Sequence, residues 1–314
     1  LKSGHIPIYE RGLESLVKQN VTKGRLHFSW NVHKAIQDSE IIFIAVGTPQ
    51  GNDGESDLGA VESVTKTIGE NLNGYKIICT KSTVPVGTGK WIEDIIRTIQ
   101  PKADFDYVSN PEFLREGAAI KDFMHPDRVV IGTRTSKALD VMREVYRALY
   151  INETPILSTS VETAEMIKYA SNSFLALKIS YINEIANLCE SLGADVHDVA
   201  NAMGQDGRIS DKFLHPGPGF GGSCFPKDLD ALLSISKNNN LKMETVKAAS
   251  VANKNQKKRM TDKLINLFDN NLKNRKIAVL GLAFKANTND VRESTAIDML
   301  NIILEHKGIV NAYD

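Results

Sequence analysis

The 314-residue chain has few cysteines, no excess of either charge and no long hydrophobic run. Its three cysteines, Cys79, Cys189 and Cys224, are odd in number and widely spaced, which argues against a disulfide framework or a zinc site. We therefore expect a reducing compartment, the cytoplasm. The 38 basic and 38 acidic side chains balance, so no overall field would attract a nucleic acid or a charged membrane surface. No apolar run approaches the roughly 20 residues that a membrane-spanning helix needs.

Short apolar runs alternate with amphipathic stretches in the first third of the chain, which predicts βαβ units and a parallel sheet. A chain of 314 residues is too long for one compact core and favours two or three domains. We predict strands at residues 40–46, 76–81, 107–109 and 128–132, and a helix at 136–150. Ligands bind at the carboxyl ends of such strands. Function is therefore expected in the loops VGTP (46–49), KSTVPVG (81–87) and SNPEFLREG (109–117).

Long helices are predicted in the second half of the chain. Residues 160–192 contain neither Pro nor Gly, and Ser160 and Gly193 provide a start and a stop signal. Such a helix would be about 50 Å long, enough to bridge two domains. A second helix is predicted at 242–268, then a strand at 276–281, a helix at 291–305 and another strand. One or two strands do not make a stable sheet, so we expect this last α/β domain to be incomplete.

The segment GPGFGGSCFPKDLD (residues 217–230) carries the strongest chemical signal. Its glycines allow close approach of a ligand to the backbone, and Pro226 predicts the start of a helix. Cys224 would lie just before that helix and near Lys227, and both features favour a thiolate. A cysteine beside a tight turn is ordinarily a small buried residue, but this combination favours a nucleophile. Cys79, in an apolar strand, and Cys189, on a helix, are better explained by packing.

Two other segments have weaker signals. Lys168 and Asn172 are four residues apart on the long helix and share a face, although a lysine among apolar neighbours is ordinarily an exposed residue whose stem packs on them. The segment GLAFKANTNDVRES (281–294) follows a predicted strand and contains Lys285 and Arg292, an arrangement that suits a phosphate. An ordinary strand–helix connection explains this segment equally well.

Seven blocks in the same order resemble the UDP-glucose 6-dehydrogenase family and its relatives that act on other nucleotide sugars. The resemblance runs over nearly the whole chain. The blocks are VGTP (46–49), KSTVPVG (81–87), NPEFLREG (110–117), PDRVVIG (126–132), AEMIKYASNSFLALKISYINEIA (164–186), GFGGSCFPKD (219–228) and GLAFKANTNDVRES (281–294).

The resemblance implies an α/β fold with three domains. Residues 1–158 would form a Rossmann-like NAD-binding domain, residues 159–270 a central helical domain that carries Cys224 and forms a homodimer through its long helix, and residues 271–314 the start of a second Rossmann-like, UDP-binding domain. The family's first strand and its G-x-G-x-x-G loop would precede Leu1. We therefore expect the N-terminal part of the NAD-binding domain to be missing, the UDP-binding domain to be truncated, and residues 1–314 alone to bind NAD poorly.

The resemblance also implies a reaction, the oxidation of UDP-glucose to UDP-glucuronate by two molecules of NAD. The intermediates would be a thiohemiacetal and a thioester on Cys224. Lys168 and Asn172 would stabilise the oxyanions, which reverses the interpretation of Lys168 as an exposed lysine. Glu112, Thr83 and Asp228 would position and activate the hydrolytic water. GDP-mannose or a UDP-N-acetylhexosamine is the alternative substrate.

Further site residues follow from the same resemblance, and no metal is expected. The cofactor-binding residues would be Val46, Gly47, Thr48, Pro49, Ser82, Thr83, Glu116, Lys227 and Arg292. The substrate-binding residues would be Glu112, Phe113, Leu114, Arg115, Lys168, Asn172, Arg208, Phe213, His215, Gly217, Phe220, Gly221, Phe284 and Lys285. At position 215 some relatives carry lysine.

Two other functions compete with this interpretation. A dehydrogenase of the 3-hydroxyacyl or 6-phosphogluconate type shares a Rossmann domain and long helices, but it uses no cysteine nucleophile and yields one NADH per turnover. A non-catalytic module would bind the nucleotide sugar without a working cofactor site.

Overall fold

A five-stranded sheet lies at the centre of the first half of the protein. The computed structural model describes residues 6–51 and 54–314. The chain divides into two units, one that ends at Tyr169 and one that spans Ala170–Asp314. The sheet belongs to the first unit, and its strand order is β1-β2-β3-β4-β5. The strands are β1 (Ile41–Ile44), β2 (Lys76–Thr80), β3 (Phe105–Ser109), β4 (Val129–Thr133) and β5 (Ile156–Thr159).

The sheet is parallel except at one pair of strands. Ile42 pairs with Ile78, and Ile78 with Tyr107, in parallel register, whereas β3 and β4 run antiparallel. The predicted parallel sheet is confirmed at three of its four strand pairs, and the antiparallel β3–β4 pair is the exception. Strands β1–β4 lie where the apolar runs predicted them. Strand β5 was not predicted. Its four residues (ILST) include two hydroxyl residues and the half-exposed Leu157, which gives little apolar signal.

Helices cover both faces of the sheet. Side chains of β2 alternate between two cores: Ile78 packs with Ile68 and Ile92 on one face, and Cys79 packs with Met142 on the other. Burial raises the pKa of the Cys79 thiol to about 12, as expected for a packing residue. The helices are α1 (Leu13–Thr22), α2 (Val32–Asp38), α3 (Gly59–Asn71), α4 (Thr88–Ile99), α5 (Ala119–Met124) and α6 (Ser136–Val145).

Two helices, α6 and α7, begin where the sequence predicted. The end of α7 also agrees with the prediction, whereas the end of α6 does not. Helix α6 stops at Val145, five residues early, and a 3₁₀ helix (Arg147–Asn152) follows it. Helix α7 (Val161–Leu192) has 32 residues, about 48 Å at 1.5 Å per residue. The Ser160 hydroxyl accepts from the Thr163 N–H, and Gly193 has φ of 73°, so both predicted signals of α7 are confirmed.

The second unit contains more helices and a two-stranded parallel sheet. Val279 of one strand pairs with Ala312 of the other. The elements are α8 (Val196–Gly204), α9 (Phe225–Asn238), α10 (Glu244–Leu267), β6 (Lys276–Leu280), α11 (Thr295–Glu305) and β7 (Ile309–Tyr313). Helix α11 begins four residues later than predicted, because Glu293 adopts a left-handed conformation with φ of 52°. Among the residues that the structure describes, no helix is long and apolar enough to cross a membrane.

Candidate active site

Two loops at the carboxyl ends of β1 and β2 are hydrogen-bonded to each other. The Thr48 hydroxyl donates to the Thr83 carbonyl over 2.8 Å, and the Ser82 hydroxyl donates to the Val46 carbonyl over 2.6 Å. The space where a Cβ of Gly47 would stand is open. The structure therefore brings together the predicted cofactor residues 46–49, 82 and 83, and a planar ligand could approach the backbone of Gly47.

A buried carboxylate on α7 holds the other end of the second loop. Glu165 is 2% exposed, and its two oxygens accept from the N–H groups of Gly87 and Gly89 over 2.7 and 2.8 Å. These N–H groups lie at the start of α4, where a helix has unsatisfied donors. Burial is the largest cause that raises the pKa of Glu165 to about 7, although the two N–H donors lower it. Glu165 was not among the predicted site residues, because its only signal in the sequence is a carboxylate at an apolar spacing of α7.

Strand β3 ends in a turn that Lys168 of α7 supports. Within this turn Asn110 is fully buried, and its side-chain amide donates to the Val130 carbonyl over 2.7 Å. The Lys168 ammonium donates to the backbone carbonyl of Glu112 over 2.6 Å and to its carboxylate over 3.0 Å. The other carboxylate oxygen of Glu112 accepts from the Leu114 N–H. The Lys168 side chain is 4% exposed, so its interpretation as an exposed lysine is wrong.

Phe113 and Arg115, which follow Glu112 in the chain, have different partners. The Arg128 guanidinium stacks at 3.7 Å from the centre of the Phe113 ring, and the Lys168 ammonium lies 5.4 Å from the same centre. Arg115 is exposed and forms a two-pronged ion pair with Asp122. The guanidinium of Arg115 is therefore engaged, and a substrate would have to compete with Asp122 for it.

In the second unit Cys224 occupies the N-cap position of α9. Pro226 follows as the second helical residue, which confirms the predicted helix start. The thiol is half-buried, and the Ser223 hydroxyl lies 3.5 Å from its sulfur. The Cys224 carbonyl accepts the first hydrogen bond of the helix, from the Asp228 N–H over 2.9 Å. The thiol therefore lies at the positive end of the helix dipole.

One turn into α9, the Asp228 carboxylate is almost completely buried. It is 1% exposed. The Asn172 side-chain amide donates to one of its oxygens over 2.6 Å, and the Lys227 ammonium pairs with the other over 2.9 Å. Lys227, which was expected to act on the thiol and the cofactor, is therefore paired with a carboxylate. Through Asn172 this carboxylate links α9 to α7.

The segment before Cys224 packs its aromatic rings on α9. The rings of Phe213 and Phe220 meet the Phe225 ring edge-on at 6.1 and 5.8 Å between centres. His215 is exposed between them in the chain, whereas Gly221 and Gly222 are buried. Of the predicted substrate residues in this segment, the structure clusters the aromatic ones and leaves the His215 side chain at the surface.

The segment after β6 meets the glycine-rich segment. The Gly222 N–H donates to the Arg292 carbonyl over 2.9 Å, and the Phe284 ring would lie 2.7 Å from a Cβ at position 222. The Lys285 ammonium lies 5.2 Å from the centre of the Phe284 ring. The predicted residues 221, 284 and 292 are thus neighbours within the second unit.

Both predicted anion-binding arginines of the second unit are paired with aspartates. The Arg292 guanidinium binds both carboxylate oxygens of Asp290, and Arg208 binds both oxygens of Asp206. Hydrogen bonds from Arg208 lower the pKa of Asp206. Each arginine would have to leave its aspartate to bind a phosphate. No group of three or more potential metal ligands occurs among the residues that the structure describes.

Comparisons with known proteins match nearly the whole chain. Residues 1–150 match the model described as "UDP-glucose/GDP-mannose dehydrogenase family, NAD binding domain". Residues 162–255 match the family's central domain and residues 278–314 its UDP binding domain. Because the first match begins at residue 1, it does not support the expectation that the N-terminal part of the NAD-binding domain is missing.

Relatives of known identity cover the full chain. The UDP-glucose 6-dehydrogenase of Rhizobium meliloti is 50% identical over 100% of this chain and 72% of its own length. UDP-glucose 6-dehydrogenase TuaD of Bacillus subtilis is also 50% identical, over 100% of this chain and 68% of its own. Among solved structures, a UDP-glucose dehydrogenase from Pyrobaculum islandicum matches with a TM-score of 0.94 and 39% identity, over 99% of this chain and 72% of that one.

The raised pKa of Glu165 predicts a pH dependence of stability in the first unit. Folded, this carboxyl keeps its proton to about pH 7, whereas unfolded it ionises near 4.5. The free energy of unfolding should therefore fall, by at most about 1.4 kcal/mol per pH unit, as the pH rises from 4.5 to 7. Glu165→Gln should remove this decline. Both tryptophans, Trp30 and Trp91, lie in this unit, so urea unfolding followed by tryptophan fluorescence measures it.

Glu162, one turn earlier on α7, provides the matched control. A hydrogen bond from Arg134 lowers the pKa of Glu162, so this carboxyl is ionised through most of that pH range whether the chain is folded or unfolded. Glu162→Gln should leave the decline in place. An equal decline in wild type and Glu165→Gln would show that the Glu165 carboxyl does not hold its proton.

Proposed function

The chain belongs to the UDP-glucose/GDP-mannose dehydrogenase family, and we propose that it oxidises UDP-glucose to UDP-glucuronate in two NAD-dependent steps. The observation that carries the proposal is the half-buried Cys224 thiol at the N-terminus of α9. A helix N-terminus favours the thiolate, which is the nucleophilic form. The 50% identity to two UDP-glucose 6-dehydrogenases supports the choice of sugar.

NAD is the cofactor of the family, and residues of the first unit fit it. When bound, NAD would supply the hydride acceptor for the oxidation at C6 of the sugar, with one molecule of NAD for each of the two steps. We assign its binding to residues 46–49, Ser82, Thr83 and Glu116, with Lys227 and Arg292 as further contacts. The hydrogen bonds between the two loops preorganise their backbone, and the open space at Gly47 would admit a flat ring.

Cys224 divides the oxidation into steps of lower barrier. Loss of a hydride and a proton from the 6-hydroxymethyl group gives an aldehyde. The thiolate then adds to the aldehyde carbon, and the carbonyl oxygen takes a proton to form a thiohemiacetal. Loss of the second hydride and of that proton leaves a thioester. Water adds to the thioester, the carbon–sulfur bond breaks, and the carboxylate leaves as the thiol is restored.

Lys168 and Asn172 would stabilise the oxyanions that form when the thiolate and the water attack. The Lys168 ammonium is buried and aligned by Glu112, and the Asn172 amide is aligned by Asp228. Groups that are fixed before the reaction need little reorganisation during it, which is the condition for effective electrostatic stabilisation.

Glu112, Thr83 and Asp228 would position the hydrolytic water and accept its proton. Glu112 already pairs with Lys168, so protonation of this carboxylate would change the charge next to the oxyanion. Arg208, His215, Gly217, Phe220, Phe284 and Lys285, with residues 113–115, would hold the nucleotide sugar. GDP-mannose, which the family's description includes, is one alternative substrate. A UDP-N-acetylhexosamine is the other, because a UDP-D-ManNAc dehydrogenase from Pyrococcus horikoshii matches this chain with a TM-score of 0.88 and 27% identity.

We also assign the three predicted domains (1–158, 159–270 and 271–314) to NAD binding, to dimerisation and catalysis, and to UDP binding. A homodimer through α7 is supported by the large apolar side chains that this helix exposes in the monomer. Phe174 is 62% exposed, and Leu188 and Leu192 are 55% and 73% exposed. Cys79 and Cys189 are buried thiols outside any disulfide, which suits the cytoplasm.

Replacement of Cys224 tests the covalent mechanism. Wild type should form two NADH for each UDP-glucose consumed. Absorbance at 340 nm measures the NADH, and chromatography measures the loss of UDP-glucose. Cys224→Ala should abolish acid formation, because no thioester can form, while far-ultraviolet circular dichroism remains unchanged. Cys189→Ala, at a buried cysteine on α7, is the control and should keep two NADH per sugar. Undiminished acid formation by Cys224→Ala would exclude the mechanism.

Replacement of Lys168 tests its role at the oxyanion. Lys168→Ala should lower kcat by more than tenfold with little change in the KM for UDP-glucose, since loss of one oxyanion donor costs about 2.7–4 kcal/mol in the transition state. Lys90→Ala, which removes a solvent-exposed ion pair on α4, should change neither constant. If Lys168→Ala raised only KM, the role of Lys168 would be limited to substrate binding, and its assignment to the oxyanion would be wrong.

A further inference from the structure

The segment before Cys224 is buried without regular secondary structure. Residues 215–222 lie outside helices and strands, yet Phe220, Gly221 and Gly222 are buried. Buried backbone N–H and C=O groups need hydrogen-bond partners. A helix or a sheet would supply them from neighbouring backbone, and this segment must find them elsewhere.

A single side chain of α10 satisfies both backbone groups of Phe220. The Oδ1 atom of Asn253 accepts from the Phe220 N–H over 2.8 Å, and its Nδ2 atom donates to the Phe220 carbonyl over 3.0 Å. Asn253 is 6% exposed. The carboxamide thus binds the backbone of Phe220 as an adjacent strand would. A carboxamide suits this position because it presents a donor and an acceptor side by side without carrying a charge.

A second pair of amides holds Gly217 in the same way. The Asn183 side chain of α7 accepts from the Gly217 N–H over 2.8 Å, and the Gln256 side chain of α10 donates to the Gly217 carbonyl over 2.8 Å. Asn187, one turn after Asn183, donates to the Gln256 side-chain oxygen over 2.8 Å. This last bond is consistent with the direction in which the Gln256 amide donates to Gly217.

Residues 221 and 222 pack tightly against Glu293 and Phe284, which leaves no space for a side chain at either position. A Cβ on Gly221 would overlap the carbonyl oxygen of Glu293, and one on Gly222 would overlap the Phe284 ring. Between these contacts and the amides, Gly219 turns with φ of 109°, and a Cβ there would lie 3.0 Å from Oδ1 of Asn253. The backbone is therefore held from two sides, and displacement of Phe220 would require changes in both.

We propose that Asn253 is a positioning residue that sets the location of the Cys224 thiol and of the nucleotide sugar through the backbone of Phe220. Only three residues separate Phe220 from Cys224, and the Phe220 ring packs edge-on against Phe225, the first residue of α9. The inference rests on the proposed role of Cys224 as the nucleophile. It assigns Asn253 a role that acts through the backbone of Phe220.

The test replaces the amide by a carboxylate of the same shape. The activity of Asn253→Asp is measured at a pH where the carboxylate is ionised, so that one oxygen still accepts from the Phe220 N–H but the other faces the Phe220 carbonyl and repels it. We expect kcat/KM for UDP-glucose to fall on the order of tenfold to a hundredfold, because small misplacements of reacting groups have effects of this size. The KM for NAD should stay within about twofold, since we assign most NAD contacts to the first unit.

Ser180→Ala is the matched structural control. The buried Ser180 hydroxyl of α7 donates to the Ala249 carbonyl of α10 over 2.9 Å, one turn before Asn253. Its loss should lower the thermal midpoint by removing a buried hydrogen bond between the same two helices. It should leave kcat/KM for UDP-glucose unchanged. If Asn253→Asp does not fold, Asn253→Ser is measured in its place, because it removes the paired hydrogen bonds to Phe220 without adding a buried charge.

Alkylation of the Cys224 thiol separates this proposal from the proposed reaction. Its rate with iodoacetamide is followed by peptide mass spectrometry without substrate, so it does not depend on which sugar is oxidised. We expect a change of at least about threefold in Asn253→Asp and none in Ser180→Ala. Wild-type values of both kcat/KM and alkylation rate in the Asn253 variant would overturn the positioning role. Full activity of Cys224→Ala would instead overturn the proposed mechanism. The alkylation rate would still report whether Asn253 positions the Cys224 thiol.

Discussion

The buried carboxylate of Asp228 is the constraint on which the arrangement around Cys224 depends. Burial of an ionised carboxylate costs several kcal/mol of solvation free energy unless a cation and hydrogen-bond donors replace the solvent. Lys227 and Asn172 replace it. Because Asn172 belongs to α7 and Asp228 to the first turn of α9, the start of α9 is attached to α7. Cys224, the N-cap of α9, is held in place as a consequence.

Polar side chains of long helices hold irregular backbone at several points. Glu165 binds the start of α4, Lys168 binds the turn after β3, and Asn253 binds the segment before Cys224. In each case a buried side chain supplies hydrogen-bond partners to backbone groups of the loop that no helix or strand pairs. Polar residues at apolar spacings of α7 and α10 are therefore part of the machinery that orders the candidate site.

Local signals predicted most of the fold and some of the site. Apolar runs predicted β1–β4, and Ser160, Gly193 and Pro226 predicted helix ends, because these depend on neighbouring residues alone. The antiparallel pairing of β3 with β4 and the burial of Lys168 depend on contacts between distant segments, and no local pattern reports such contacts. For the same reason the role of Asn253 could not be predicted from local patterns, since its partner, Phe220, lies 33 residues earlier in the chain.

In the proposed mechanism the substrate becomes covalently attached to Cys224 during oxidation. The most direct measurement is rapid acid quenching of wild type with saturating UDP-glucose and NAD, followed by mass spectrometry of the peptide that contains Cys224. The mechanism predicts a transient adduct on Cys224 with the mass of the UDP-glucuronyl thioester, which forms and decays no more slowly than the acid appears. Turnover to the acid with the adduct absent from Cys224, or attached to another residue, would contradict the claim.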